Sequence, residues 1–117
     1  MAGAELPIQS REELEAAAVA CEAKDAGACR RAAEAAELGE VAAKDPERAK
    51  RLRKIELTLL VRGCEKSSPL ACLTLADRYL RGDGVEQSER TATALIEHTK
   101  ELCSRKPDEA CRSIPRN

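Results

Sequence analysis

Aromatic residues are almost missing from this chain. Tyr79 is the only one, and there is neither phenylalanine nor tryptophan. Aromatic side chains bring the largest burial per residue, so the core must be assembled from alanine, leucine, valine and isoleucine, and it is thin. Histidine is as scarce. His98 stands alone in LIEHTK with no nucleophile or carboxylate set around it, and it reads as a surface or helix-packing residue rather than an acid–base centre. No run of about 18 apolar residues occurs, which excludes a transmembrane helix. The opening MAGAELPIQS lacks the basic start and apolar centre of a secretory signal. Charge of one sign is also lacking. Twenty Lys and Arg face 21 Asp and Glu, so a general nucleic-acid surface is not indicated. The balance is local rather than uniform: residues 1–40 are acidic, 41–66 basic, and the remainder even.

What the chain does have is alanine, leucine, glutamate, lysine and arginine, the strong helix formers, with weak strand signals throughout. It also has six cysteines in 117 residues, and small cores need staples. They fall into three pairs with the same seven-residue gap: CEAKDAGAC from Cys21 to Cys29, CEKSSPLAC from Cys64 to Cys72, and CSRKPDEAC from Cys103 to Cys111. Each second cysteine follows an alanine, and the pairs recur at intervals near 40 residues, a period that marks helical solenoids.

The segments between the pairs align as well. A glycine stands ten residues past Cys29 and Cys72, at Gly39 and Gly82, and reads as a helix C-cap. Asp45 followed by Pro46 is an N-cap with proline at the first helical position, and Ser88 is its counterpart. These caps predict second helices from Asp45 to about Gly63 and from Ser88 to about Cys103. Ser10 and Glu13 make a capping box before LEAAAVAC. The expected order is a lone second helix, two helix pairs, and the start of a further first helix at PDEACRSI.

Two residues eight apart in one helix lie about 12 Å apart along its axis, whereas a disulfide needs Cα atoms within roughly 7 Å. A bridge therefore requires a turn, and each gap offers one. The structural reading pairs Cys21 with Cys29, Cys64 with Cys72 and Cys103 with Cys111, the simplest of the 15 pairings six cysteines allow. The metal reading is weaker, because structural zinc wants closely spaced cysteine knuckles and four ligands, which these gaps and a lone His98 do not supply. The redox reading lacks a Cys-x-x-Cys motif.

At LADRYLRGDGV, residues 75–85, the chain resembles the Sel1-like repeat, a relative of the tetratricopeptide repeat. The pattern positions are filled by Ala71, Leu75-Ala76, Tyr79 and Gly82-Asp83-Gly84-Val85. With its seven-residue cysteine gaps it is similar to the cysteine-rich Sel1-like proteins first described in Helicobacter. The first copy departs from the pattern: Ala32, Ala33 and Ala36 replace Leu75, Ala76 and Tyr79, and no Gly-x-Gly-Val follows Leu38. The resemblance implies an all-α solenoid of helix-turn-helix repeats stapled by disulfides at the repeat junctions. Its expected parts are a disordered segment 1–9, a repeat domain 10–113 (partial repeat 10–26, repeats 27–66 and 69–104, partial repeat 107–113) and a tail 114–117.

The resemblance further implies an extracytoplasmic protein, periplasmic or secreted, in a mature form lacking its signal peptide. Its expected role is a non-catalytic scaffold that binds another protein or peptide on a concave face lined by the first helix of each repeat. The candidate contacts are Arg31, Glu34, Thr74, Asp77, Arg78 and Arg81, and mutating Arg78 and Arg81 to alanine is expected to weaken a partner without unfolding the domain. No cofactor is expected. Some relatives in the cysteine-rich group are linked to penicillin binding and weak β-lactamase activity, and a mitochondrial relative to heme, but neither a Ser-x-x-Lys nor a Cys-x-x-Cys-His motif is present. A hydrolase of that kind and a thiol protein handling metal or heme remain the alternatives. The basic run from Arg48 to Lys54 reads as a solvated helix face, or as a surface for an acidic partner. Leu52, Ile55, Leu59, Leu75, Tyr79, Leu95 and Ile96 are the expected shared core.

Overall fold

The computed structural model describes residues 7–115. Among them are five α-helices, one 3₁₀ helix and no strand. The α-helices are α1 (Arg11–Glu22), α2 (Ala26–Leu38), α3 (Pro46–Glu65), α4 (Pro69–Arg81) and α5 (Glu89–Arg105), and the 3₁₀ helix spans Glu109–Ser113. The chain divides into two compact units, Met1–Glu56 and Leu57–Asn117, with the division inside α3.

The helices start where short polar side chains can satisfy orphan N–H groups. Ser10 Oγ accepts from Glu13 N, Asp25 Oδ1 from Ala28 N, Asp45 Oδ1 from Arg48 N and Ser88 Oγ from Thr91 N. The expected capping box at α1 is offset by one residue, because the Glu13 carboxylate accepts from Gln9 N at 2.6 Å rather than from Ser10. Two helices stop at glycine. Gly39 and Gly82 sit at φ 72° and 69°, the left-handed region that a Cβ disfavours. From each the chain returns by the same route: Asp45 N donates to the Ala36 carbonyl and Ser88 N to the Tyr79 carbonyl, both at 2.9 Å.

Within the first unit α1 packs against α2. Its core is mostly alanine: Ala17 and Ala18 of α1 and Ala28, Ala32, Ala33, Ala35 and Ala36 of α2 are buried, with Leu14 and the sulfurs of Cys21 and Cys29. In the second unit α4 packs against α5, and the 3₁₀ helix packs against both. Leu60, Cys64, Cys72, Leu75, Ala76, Ala92 and Thr99 are buried there. Of the expected core, Leu52 and Leu75 are buried, whereas Ile55, Leu59, Tyr79, Leu95 and Ile96 are half-buried. The fully buried positions are held by alanine, cysteine and threonine, with Leu14, Leu52, Leu60 and Leu75 buried beside them.

Residues 1–6 and 116–117, within the expected disordered segment and tail, lie outside the described residues. The segment PDEACRSI forms a 3₁₀ turn rather than an α-helix. Asp108 caps it by accepting from Ala110 N, but Pro115 biases Ile114 to extended backbone, leaving too few residues for an α-turn to propagate. Helices α3 and α5 run two residues past their expected ends, to Glu65 and Arg105, so Cys64 and Cys103 lie inside last turns.

Candidate functional site

Three disulfides are present, Cys21–Cys29, Cys64–Cys72 and Cys103–Cys111, which is the pairing expected from the spacing. At the first two, the first cysteine lies in the last turn of a helix and the second in the first turn of the next. Lys24 and Ser67 adopt left-handed backbone, φ 75° and 69°, and reverse the chain. Two backbone bonds close each reversal. Lys24 N donates to the Cys21 carbonyl and Asp25 N to Ala20; Ser67 N donates to Cys64 and Ser68 N to Gly63, all at 2.9–3.0 Å. The paired Cα atoms are 4.5 and 4.6 Å apart. At the second junction a Cβ on Gly63 would fall 2.8 Å from the Ala71 Cβ, so the two helices meet there with backbone against side chain.

The third junction is built differently. Lys106 precedes Pro107, which pushes it to extended backbone, φ −143° and ψ 90°, in place of the left-handed turn. The Cα atoms of Cys103 and Cys111 lie 6.0 Å apart, and both residues are half-buried. Cys21, Cys29 and Cys72 are fully buried, and Cys64 is 7% exposed.

His98 comes to one of these bridges. A ring nitrogen of His98 and the sulfurs of Cys64 and Cys72 all lie within 4.8 Å of one another. The imidazole is exposed while the sulfurs are buried, so the histidine forms the solvent side of the group. Sequence spacing missed this neighbour because it arrives from α5. A signal was available in the alignment of the copies: the residue five before Cys103 is His98, and the residue five before Cys64 is Leu59.

The candidate contact residues fall on α2 and α4. Arg31 and Glu34 line a shallow cleft of about 110 Å³ in the first unit with Pro7, Ile8, Ala35 and Leu38. Thr74 and Asp77, at the matching positions of α4, line a cleft of about 320 Å³ in the second unit with Leu70, Leu73, Leu80 and Ile96. Leu38, Leu70 and Leu80 are exposed along these walls. Glu34 pairs with Arg30 at 3.5 Å, Asp77 with Arg81 at 2.5 Å, and the Thr74 hydroxyl donates to the Leu70 carbonyl at 2.8 Å. A depression of about 410 Å³, lined by Ser67, Ser68, Pro69, Leu102, Arg105, Lys106, Pro107 and Asp108, lies between the second and third junctions.

Arg78 does not belong with the exposed candidates. It is only 6% exposed, and its Nη1 sits 3.8 Å from an Asp83 carboxylate oxygen. A long apolar stem lets arginine pack while its charged end reaches the edge of a core. Replacing it is therefore a change to the fold, and of the arginine pair only Arg81 is a clean surface probe.

The basic run of α3 is partly consumed by its own unit. Arg48 holds the Glu15 carboxylate with two nitrogens at 2.7 and 2.8 Å. That hydrogen-bonded pairing lowers the Glu15 pKa below the usual carboxylate range and raises that of Arg48. Arg53 reaches Glu37 at 3.2 Å and the buried Glu56 at 3.4 Å. No described helix is long and apolar enough to cross a membrane. Comparison with models of known protein families finds no match to the chain, and neither curated proteins nor solved structures match it.

Proposed function

We propose that the chain is a non-catalytic interaction scaffold of Sel1-like repeats, working in an oxidising compartment outside the cytoplasm. The observation that carries this reading is that matching positions of the two units, Arg31 and Glu34 on α2 and Thr74 and Asp77 on α4, each line a cleft with exposed leucine, Leu38 in the first and Leu70 and Leu80 in the second. Apolar ground with a polar rim is the usual make-up of a protein-binding patch. A partner segment presenting apolar side chains at short intervals would cover Leu70, Leu73 and Leu80 and meet polar groups at Thr74 and Asp77. The stapled junctions support the same reading. They hold successive helices at set angles without depending on a large core, and disulfides persist in oxidising compartments. A solenoid is the arrangement in which such walls would join into one face.

Photo-crosslinking groups placed at Glu34 and Asp77, with one at exposed Glu97 as control, test the face in the native compartment. The expected result is one captured protein from the first two sites, lost on Leu80→Asp, and none from Glu97. Equal capture from all three sites, or capture indifferent to Leu80→Asp, overturns the assignment of the face. Alkylation of the purified chain before and after denaturation, without reductant, tests the compartment. No added label is expected, whereas six labelled thiols in freshly isolated native protein would move it to a reducing one.

A further inference from the structure

Cys64, Cys72 and His98 form the one group of three potential metal-ligating side chains that converges among the described residues. We propose that reduction of the Cys64–Cys72 bridge converts this group into a binding site for a thiophilic d¹⁰ cation such as Zn²⁺, with the two thiolates and the His98 imidazole as ligands. The inference is independent of the scaffold reading.

The ligand types suit the ion. Two thiolates and an imidazole are a common zinc set, with metal–sulfur distances of about 2.3 Å and metal–nitrogen distances of about 2.0 Å. Tetrahedral placement at those lengths sets ligand atoms roughly 3.5–3.8 Å apart. The present limit of 4.8 Å needs a contraction of about 1 Å, within the reach of a side-chain rotation of exposed His98. The sulfurs, bonded at 2.08 Å, must open instead, which the broken bridge permits. A fourth position on the exposed histidine side is left for water.

Reduction need not scatter the ligands, because the bridge is not what brings the cysteines together. The left-handed Ser67, the bonds from Ser67 N to Cys64 and from Ser68 N to Gly63, and the Ser68 side chain accepting from Ala71 N involve no sulfur atom and are expected to persist without it. The close approach of Gly63 to Ala71, each the residue before one of the cysteines, sets the helix contact beside the pair. The first junction has the same backbone, but His98 belongs to the second junction's group alone.

The redox step takes two electrons and two protons. A dithiol reductant supplies both and is oxidised to its own disulfide, leaving Cys64 and Cys72 as thiols. Binding a divalent cation then releases the two thiol protons to solvent. The oxidised chain, whose sulfurs carry no thiolate, is expected not to bind, so the bridge acts as the lock on the site.

The test uses the full chain reduced with a phosphine, titrated anaerobically with Co²⁺ as the spectroscopic probe and then with Zn²⁺. The expected result is one Co²⁺ per chain with thiolate-to-metal bands and the intense visible bands of a tetrahedral site, displaced by Zn²⁺. His98→Ala is expected to weaken binding at least about tenfold while leaving the helical signal of the oxidised chain unchanged. Cys64→Ser with Cys72→Ser abolishes the thiolate bands, and Cys103→Ser with Cys111→Ser keeps them. Equal affinity in His98→Ala, thiolate bands that follow Cys103 and Cys111, or a reduced chain that loses its helices and binds no Co²⁺ each overturns the proposal.

Discussion

The first two junctions share a backbone and differ in what surrounds it. Cys21–Cys29 and Cys64–Cys72 have the same left-handed residue, the same pair of closing bonds and Cα separations within 0.1 Å. In the first unit the bridge is sealed, with both cysteines at 0% exposure among alanines. In the second an exposed histidine from α5 lies against the sulfurs. The units also differ along α2 and α4, the helices that follow these junctions. Ala35 of α2 and Arg78 of α4 occupy matching positions and both are buried. The first unit packs α1 against α2 mostly with alanine. The second buries Arg78 on α4 and Thr99 on α5, whereas the buried charge of the first, Glu56, lies on α3.

Removing the bridges puts the largest strain on that comparison. Cys21→Ala with Cys29→Ala is expected to cost about 2–3 kcal/mol, the loop-closure value for so short a loop, with Cys64→Ala and Cys72→Ala similar. Urea melts of the two variants measure it. Near-equal losses would mean that the shared backbone governs both junctions, and a much larger loss in the first would mean that its sealed core depends on the staple. Arg78→Ala imports the first unit's solution into the second. It is expected to cost about 1–2 kcal/mol through lost packing and the lost Asp83 partner, whereas Arg81→Ala, on the exposed face, should shift the melting midpoint little.

The smallest effect concerns the Glu15–Arg48 pair, which ties α1 to α3 in the first unit. The second unit's exposed ion pairs, Asp77–Arg81 and Glu101–Arg105, are instead local to one helix. Because Arg48 lowers the folded pKa of Glu15, the stability it contributes is present above the ordinary carboxylate pKa of about 4.3 and is lost as pH falls through the lowered value. Carboxyl NMR of the folded chain should show Glu15 titrating below that value and moving up towards it in Arg48→Ala. An unchanged titration would mean that the pair is not held in solution.

Local features were readable in advance because their causes lie within a few residues. Ser10, Asp45 and Ser88 cap because a short oxygen-bearing side chain reaches an N–H three residues on, and Gly39 and Gly82 stop helices because only glycine enters left-handed backbone freely. The cysteine pairing was legible from three identical gaps that each hold a turn. Arg78 was misread as a surface contact because a charge on a helix argues for water until a tertiary neighbour accepts it. Tyr79 and Ile96 were expected in the shared core and are half-buried, whereas alanine, cysteine and threonine fill the tightest places. Which of these fits inside depends on how closely two helices approach, and that distance is not a property of either helix alone.

By itself, then, the sequence determined helix, turn, cap and staple, since each is decided by the torsions and hydrogen bonds of neighbouring residues. The tertiary structure decided which polar groups are buried and which meet. His98 beside Cys64 and Cys72 is the plainest case, because two segments distant in the chain become neighbours only when α4 and α5 pack.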